Sequence, residues 1–250
     1  MPIIRRKPTR GWFALGGGSG ESPVPPTPKP QPEQDEYFYI VFNEQYGGPT
    51  SFGRKEVLGR KNSSFITYFS DDKETWEQLS SATFRYAPAG RKIYIKSECA
   101  GWEGQKIVVN TNYSVGGNLA SLLFGDDFQG KTITKDNTNA NTFKQLFYNT
   151  GLTDCSKLYM PIVSARGAAL SQAFAITHIQ ESPLFDMLES TIKDSSNIFS
   201  ENKDFATLWS NKDIIHNDGW TDISPTGTIH TKAGSQWTAI PDGWQIVYDL

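Results

Sequence analysis

Phenylalanine recurs at a near-constant interval through the second half of this 250-residue chain: Phe147, Phe174 and Phe199 stand 27 and 25 residues apart. Leu158, Leu184 and Leu208 follow at intervals of 26 and 24, and Leu152 pairs with Ile179 in the same frame. A period near 26 restricts the fold sharply. A unit this short cannot bury an apolar face alone, so neighbouring units must stack on a shared core. One Phe with paired Leu/Ile per unit is the pattern of a leucine-rich-repeat-like solenoid, here expected over residues 116–222. The tract DNTNANT (136–142) reads as an Asx-rich turn entering the first unit.

Upstream, the pattern changes to period two. YFYIVF (37–42), SFITYFS (64–70), TWEQL (75–79), ATFRYA (82–87), RKIYIKS (91–97) and QKIVVNT (105–111) are rich in aromatic and β-branched residues and separated by turn formers. Ile93 and Ile95 alternate with Tyr94 and Lys96, which implies one buried face. Six such segments within residues 36–115 predict a small immunoglobulin-like β-sandwich. Trp76 and Trp102 read as core or strand-edge residues. Downstream, NDGWTD (217–222) is echoed by PDGWQI (241–246), and GTIHTK and WQIVYDL read as a final hairpin or paired strands. Residues 223–250 are therefore expected to be a β cap on the open solenoid end. Trp220, Trp237 and Trp244 seal that cap in the plainer reading, and in the sharper one offer ring faces to a sugar. The fold class expected is mainly β with short helical turns: a sandwich, a short solenoid and a cap.

The first 35 residues have a different character. Residues 21–35 carry six of the fourteen prolines, from Pro23 to Pro32, and read as a semi-rigid polyproline spacer. Residues 1–20 hold Arg5, Arg6, Lys7 and Arg10 without an acid, a charge of +4 that leaves −7 for the rest of the chain. A body with that balance is not a nucleic-acid binder by bulk electrostatics. The basic peptide also carries Trp12, Phe13 and Leu15, so it is expected to anchor the chain, its apolar side chains docking while its bases meet an acidic partner surface. No apolar run reaches 18 residues, so no membrane span is expected, and the apolar stretch Trp12–Leu15 is too short for a secretory signal. Cys99 and Cys155 lie 56 residues apart without a C-x-x-C context and read as free thiols.

Catalytic patterns fare poorly. Gly125–Thr132 matches G-x-x-x-x-G-K-T letter for letter. The match lacks its mechanics: Asp126 and Asp127 would set negative charge beside the phosphates, and ITKDNTNANT is no helix to follow the Lys-Thr. Counted from Asn137, a calcium loop would need Gly at Thr142 and Glu at Tyr148. His178, His216 and His230 are far apart, with no zinc spacing. No G-x-S-x-G elbow is present, and the pairs Asp126/Asp127 and Glu98/Glu103 read as solvated turns. The expectation is a protein that is not an enzyme, with no catalytic residues, cofactor or metal.

SDDKETWEQL, RKIYIKS, GGNLASLLFGDDF, TFKQLFYNTGLTDCSKLYMP and the closing IPDGW together resemble Bacteroides-type surface proteins with BspA-like leucine-rich repeats. A small β domain, a GN-x-x-SL-x-x-GD-x-F joint and such repeats are similar to virion proteins of crAss-like Bacteroides phages, over roughly residues 65–250. The resemblance implies a phage head fibre or capsid-decorating protein, made in the host cytoplasm and carried on the capsid exterior. Its partners would be other virion proteins held through residues 1–20, further copies of itself as a homo-dimer or homo-trimer, and a host surface glycan. A bacterial surface adhesin and a phage tail fibre or receptor-binding protein are the alternatives.

Overall fold

The computed structural model describes residues 29–43, 50–51, 67–79, 84–85, 89–97, 112–138, 142–164, 169–186, 197–214, 220–237 and 240–250. The anchor residues Arg5, Arg6, Lys7, Arg10, Trp12, Phe13 and Leu15, most of the spacer, the segment 105–111, Cys99, Trp102 and His216 lie outside these residues.

Twelve strands run in chain order: β1 Tyr39–Phe42, β2 Thr50–Ser51, β3 Thr67–Ser70, β4 Glu77–Leu79, β5 Phe84–Arg85, β6 Lys92–Ser97, β7 Tyr113–Asn118, β8 Leu152–Tyr159, β9 Glu181–Phe185, β10 Thr207–Ser210, β11 Gly227–Thr231 and β12 Trp244–Tyr248. The fold is mainly β. Ten of these strands form a single mixed sheet in the order β12-β11-β10-β9-β8-β7-β1-β6-β3-β4, and β2 pairs with β5 separately. From β7 to β12 the pairing is parallel, and from β7 through β1 to β4 it is antiparallel. Strand β7 is the hinge of this change, antiparallel to β1 on one side and parallel to β8 on the other. Its sequence, YSVGGN, carries two glycines and little strand propensity, so its place in the sheet comes from its neighbours.

In the parallel half, each strand is followed by a wound turn segment that stacks on the next. Main-chain bonds run from Phe147 N–H to the Ala173 carbonyl, and from Phe174 N–H to the Ile198 carbonyl, at 2.8 and 2.9 Å. Left-handed φ values recur in step: Gln145, Gln172 and Asn197, then Asn149, Ile176 and Glu201, at the same intervals of 27 and 25. Non-glycine residues rarely occupy this region, so its repetition marks one backbone path wound three times. The phenylalanines of the repeat form a continuous ring column. Phe38 of the first strand meets Phe147 at 6.3 Å, Phe147 meets Phe174 at 5.3 Å, and Phe174 meets Phe199 at 5.5 Å. Phe205 then stacks on Phe199 at 4.1 Å and touches Trp244 at 5.8 Å. Three residues beyond each repeat Phe stands a buried polar side chain: Thr150, Thr177 and Asn202. The Thr150 and Thr177 hydroxyls donate to the carbonyls of Phe147 and Phe174, and the Asn202 amide donates to Thr177 Oγ1 at 3.0 Å. These polar groups satisfy main-chain carbonyls that the turn leaves unpaired inside the core.

Two details of the sequence reading shift. Leu184 pairs with Tyr159 and Trp209, not in step with the core residues Leu158 and Leu208, because the ladder slips between Thr207 and Trp209. Strands β11 and β12 pair in parallel rather than as a hairpin, the chain between them crossing back to start β12 beside Gly227. The units also shorten towards the end. Thr207 lies opposite Glu181, Thr228 opposite Thr207 and Gln245 opposite Thr228, so the offset falls from 26 to 21 to 17 residues.

Candidate functional site

The stretch GGNLASLLFGDDF reads as a joint, and in the structure its atoms grip the last residues of the Pro-rich arm. Gly116 lies under the Tyr39 ring. A Cβ there would collide with that ring and come within 2.9 Å of Lys157 Cβ, so only glycine fits. Gly117 has φ +75° and presses against the Tyr37 carbonyl, where a Cβ would also clash. Asn118 completes the grip: its main-chain N–H donates to the Glu36 carbonyl and its Nδ2 to the Gln34 carbonyl, both at 2.8 Å, while its Oδ1 accepts from Ala120 N–H. Glu33 N–H donates to the Lys157 carbonyl at 3.0 Å. Ser121, fully buried in the short helix Ser121–Phe124, accepts from Phe38 N–H and donates to the Ile95 carbonyl, tying this joint to both β1 and β6. Residues 33–38 are thus hydrogen-bonded into the sheet.

Charge and aromatic contacts reinforce the grip. Asp126, in the 3-10 turn Gly125–Phe128, accepts from the Tyr37 hydroxyl at 2.7 Å and from Lys96 Nζ at 2.6 Å. The Lys96 ammonium also sits 4.1 Å above the Trp76 ring, and Tyr37 packs on Trp76 and Phe128 at 5.0 and 4.8 Å. Lys92 bonds Glu33 at 3.0 Å while lying 4.0 Å over the Tyr39 ring, and Lys73 bonds Glu36 at 3.2 Å. The Lys96 and Tyr37 hydrogen bonds hold the Asp126 carboxyl below its ordinary value. Burial raises Glu33, but the hydrogen bond and charge of Lys92 overcome it and leave the carboxyl lowered. Burial, then the Asp126 hydrogen bond, pushes the Tyr37 phenol up to about 12. Burial and the charge of Glu33 raise Tyr39 as well. Each carboxylate of the dock is therefore held ionised and each phenol held protonated, the states in which these bonds form.

The Gly125–Thr132 match to a phosphate loop has a different geometry. Its first half is the 3-10 turn that carries Asp126 to Lys96, and Lys131–Thr132 lead into an isolated bridge between Ile133 and Ile162 rather than into a helix. The three candidate sugar-binding tryptophans are also placed. Trp244 is 8% exposed, lies between Phe205 and Trp220, and donates its indole N–H to the Ser224 carbonyl at 3.0 Å. Trp220 packs against it at 5.0 Å, and Trp237 is a partly buried neighbour of the same core. Trp244 ends the ring column, and its ring faces are occupied. On the other face of the parallel sheet, Trp209 stacks on His230 at 3.9 Å, Glu181 accepts from the Trp209 indole at 3.3 Å, and Asp249 holds His230 Nδ1 at 2.9 Å. The sequence holds no local sign of this cluster, because its members come from four separate segments. Cys155 is buried, and burial raises its thiol well above the ordinary value. Among the described residues no group of three or more His, Cys, Asp or Glu side chains is placed to hold a metal, and no helix is long and apolar enough to cross a membrane.

No protein-family model, curated protein or solved structure matches this chain.

Proposed function

We propose that this chain is a structural component of a virion, a phage head fibre or capsid-decorating protein held to the particle through residues 1–20. The observation that carries the reading is the dock at the arm root. The motif on which the resemblance to crAss-like phage virion proteins chiefly rests, GGN-x-x-S-x4-D-x-F, supplies Gly116, Gly117, Asn118, Ser121, Asp126 and Phe128. All six touch or fasten residues 33–38. A load on the arm passes at this point into β1, an interior strand of the sheet bonded on both sides. A tethered protein needs that mechanical continuity between anchor and body. A free-standing enzyme or a soluble receptor does not.

On this reading the parallel units are a leucine-rich-repeat-like solenoid, supported by the ring column and by the intervals of 27 and 25. The immunoglobulin-like assignment of residues 36–115 rests on strand pattern. The described strands β1, β3, β4, β6 and β7 share one sheet, with β2–β5 as a second pair. The body is the displayed part, with virion proteins as its partners and a host surface glycan as the candidate ligand. Deleting residues 1–20 is the test. The truncated protein should keep the circular dichroism and melting temperature of the full chain and be lost from purified particles. Incorporation at the normal level would overturn the proposal.

A further inference from the structure

The ten-stranded sheet has two ends, and they differ in chemistry. At one end β4 has three residues and begins with the exposed Glu77. Short length and charge are the usual protections of a sheet edge. At the other end β12 reads Trp-Gln-Ile-Val-Tyr, five residues without charge, proline or glycine. Its outer edge carries no further strand among the described residues. Only two large hydrophobic residues are exposed among those described, Ile240 at 38% and Tyr248 at 57%, and both belong to this end of the molecule. An edge of this composition templates strand addition.

We infer that the free edge of β12 is a self-association site, pairing antiparallel with β12 of a second copy about a two-fold axis through Ile246. The register follows from side chains and charge. Centred on Ile246, the pairing sets Trp244 opposite Tyr248, Ile246 opposite itself and Gln245 opposite Val247. Residues 244, 246 and 248 share one face of the strand, so the core-side row, which begins with the buried Trp244, continues across the axis and covers Tyr248. The flanking acids are accommodated too: Asp249 falls opposite Gly243, and Asp242 opposite Leu250. Moving the axis by half a residue, to between Gln245 and Ile246, would set Asp249 opposite Asp242, a like-charge pair that disfavours that register. A closed two-fold contact uses the same surface on both chains and stops at two. Pairing β12 with β4 of a neighbour would instead propagate without closing. The inference stands apart from the virion reading and selects a dimer over a trimer.

Sedimentation of the full chain over about 1–100 μM is the test, a range that brackets a micromolar dissociation constant. The wild-type chain should pass from monomer to dimer. Gln245→Lys with Val247→Lys places like charges opposite each other across the axis and should weaken the dimer at least tenfold. Gln245→Lys with Val247→Glu places opposite charges there and should restore it. Circular dichroism and melting temperature check that each variant is folded. Under oxidising conditions Ile246→Cys should give a disulfide-linked dimer and Gln245→Cys should not, because only position 246 meets itself. A wild-type chain that stays monomeric overturns the inference. So does a dimer indifferent to the double lysine change, growth beyond two copies, or equal cross-linking at both cysteine positions.

Discussion

Phe174 sits at the centre of the ring column, so its replacement tests whether the column or the individual units hold the parallel half together. The residue is fully buried and meets Phe147 at 5.3 Å and Phe199 at 5.5 Å. Truncation to Ala removes the ring from a packed core, and such Phe→Ala changes cost about 3–5 kcal/mol. Phe174→Leu is the more diagnostic change. It keeps most of the buried volume and apolar area but loses two ring–ring contacts, each worth about 0.5–1.5 kcal/mol beyond burial. The expected loss for Leu is therefore about 1–3 kcal/mol. Gln245→Ala is the control, since Gln245 is exposed and its bond to Thr228 is a long surface contact, and it should stay within about 0.5 kcal/mol. Urea denaturation followed by far-UV circular dichroism measures all three. A Phe174→Leu variant no less stable than the control would refute the view that ring-on-ring contact, rather than bulk burial, joins the units.

Three further perturbations probe the core and the dock. Thr177→Val removes a hydroxyl that both donates to the Phe174 carbonyl and accepts from Asn202, stranding two buried groups; the expected loss is about 2–4 kcal/mol in urea denaturation. Gly116→Ala forces the Tyr39 ring away, should cost about 1–3 kcal/mol as overpacking, and should regain part of that loss when combined with Tyr39→Ala. Asp126 has a folded-state carboxyl below its unfolded value, so its contribution is present above about pH 4 and is lost as pH falls through the folded value. The melting temperature of the wild-type chain should therefore fall more steeply below about pH 4 than that of Asp126→Asn, and equal slopes would exclude Asp126 as a titrating part of the dock.

Much of the parallel half was legible in the sequence, because stacking repeats an interval. Phe147, Phe174 and Phe199 were visible by spacing, and the structure stacks them in that order. The polar companion of each Phe was equally periodic, since Thr150, Thr177 and Asn202 all stand three residues on. That signal is masked by the habit of reading periodicity from apolar residues alone. Leu184 went out of phase because one slip in register moves a side chain to the other face, and apolar spacing does not report slips. Strand β7 was illegible for a different reason. Gly116 and Gly117 look like a turn, and only the Tyr39 ring and Tyr37 carbonyl above them explain two glycines inside a strand. The dock was hidden by distance along the chain: Tyr37 and Asp126 are 89 residues apart, and Asn118 and Gln34 are 84 apart. The GGN motif advertised its importance without revealing its partner. The final strand pair was legible as pairing but not as direction, since hairpin and parallel crossover share the same apolar pattern.

The dock fastens the arm to an interior strand, and the proposed function requires that the far end of the arm be fastened to a particle. Cross-linking mass spectrometry of purified particles, with links mapped from Lys7, measures that directly. Links from Lys7 to a major capsid or capsid-bound protein are the expected result. Absence of the chain from washed particles, or links from Lys7 to tail proteins alone, would contradict its place on the head.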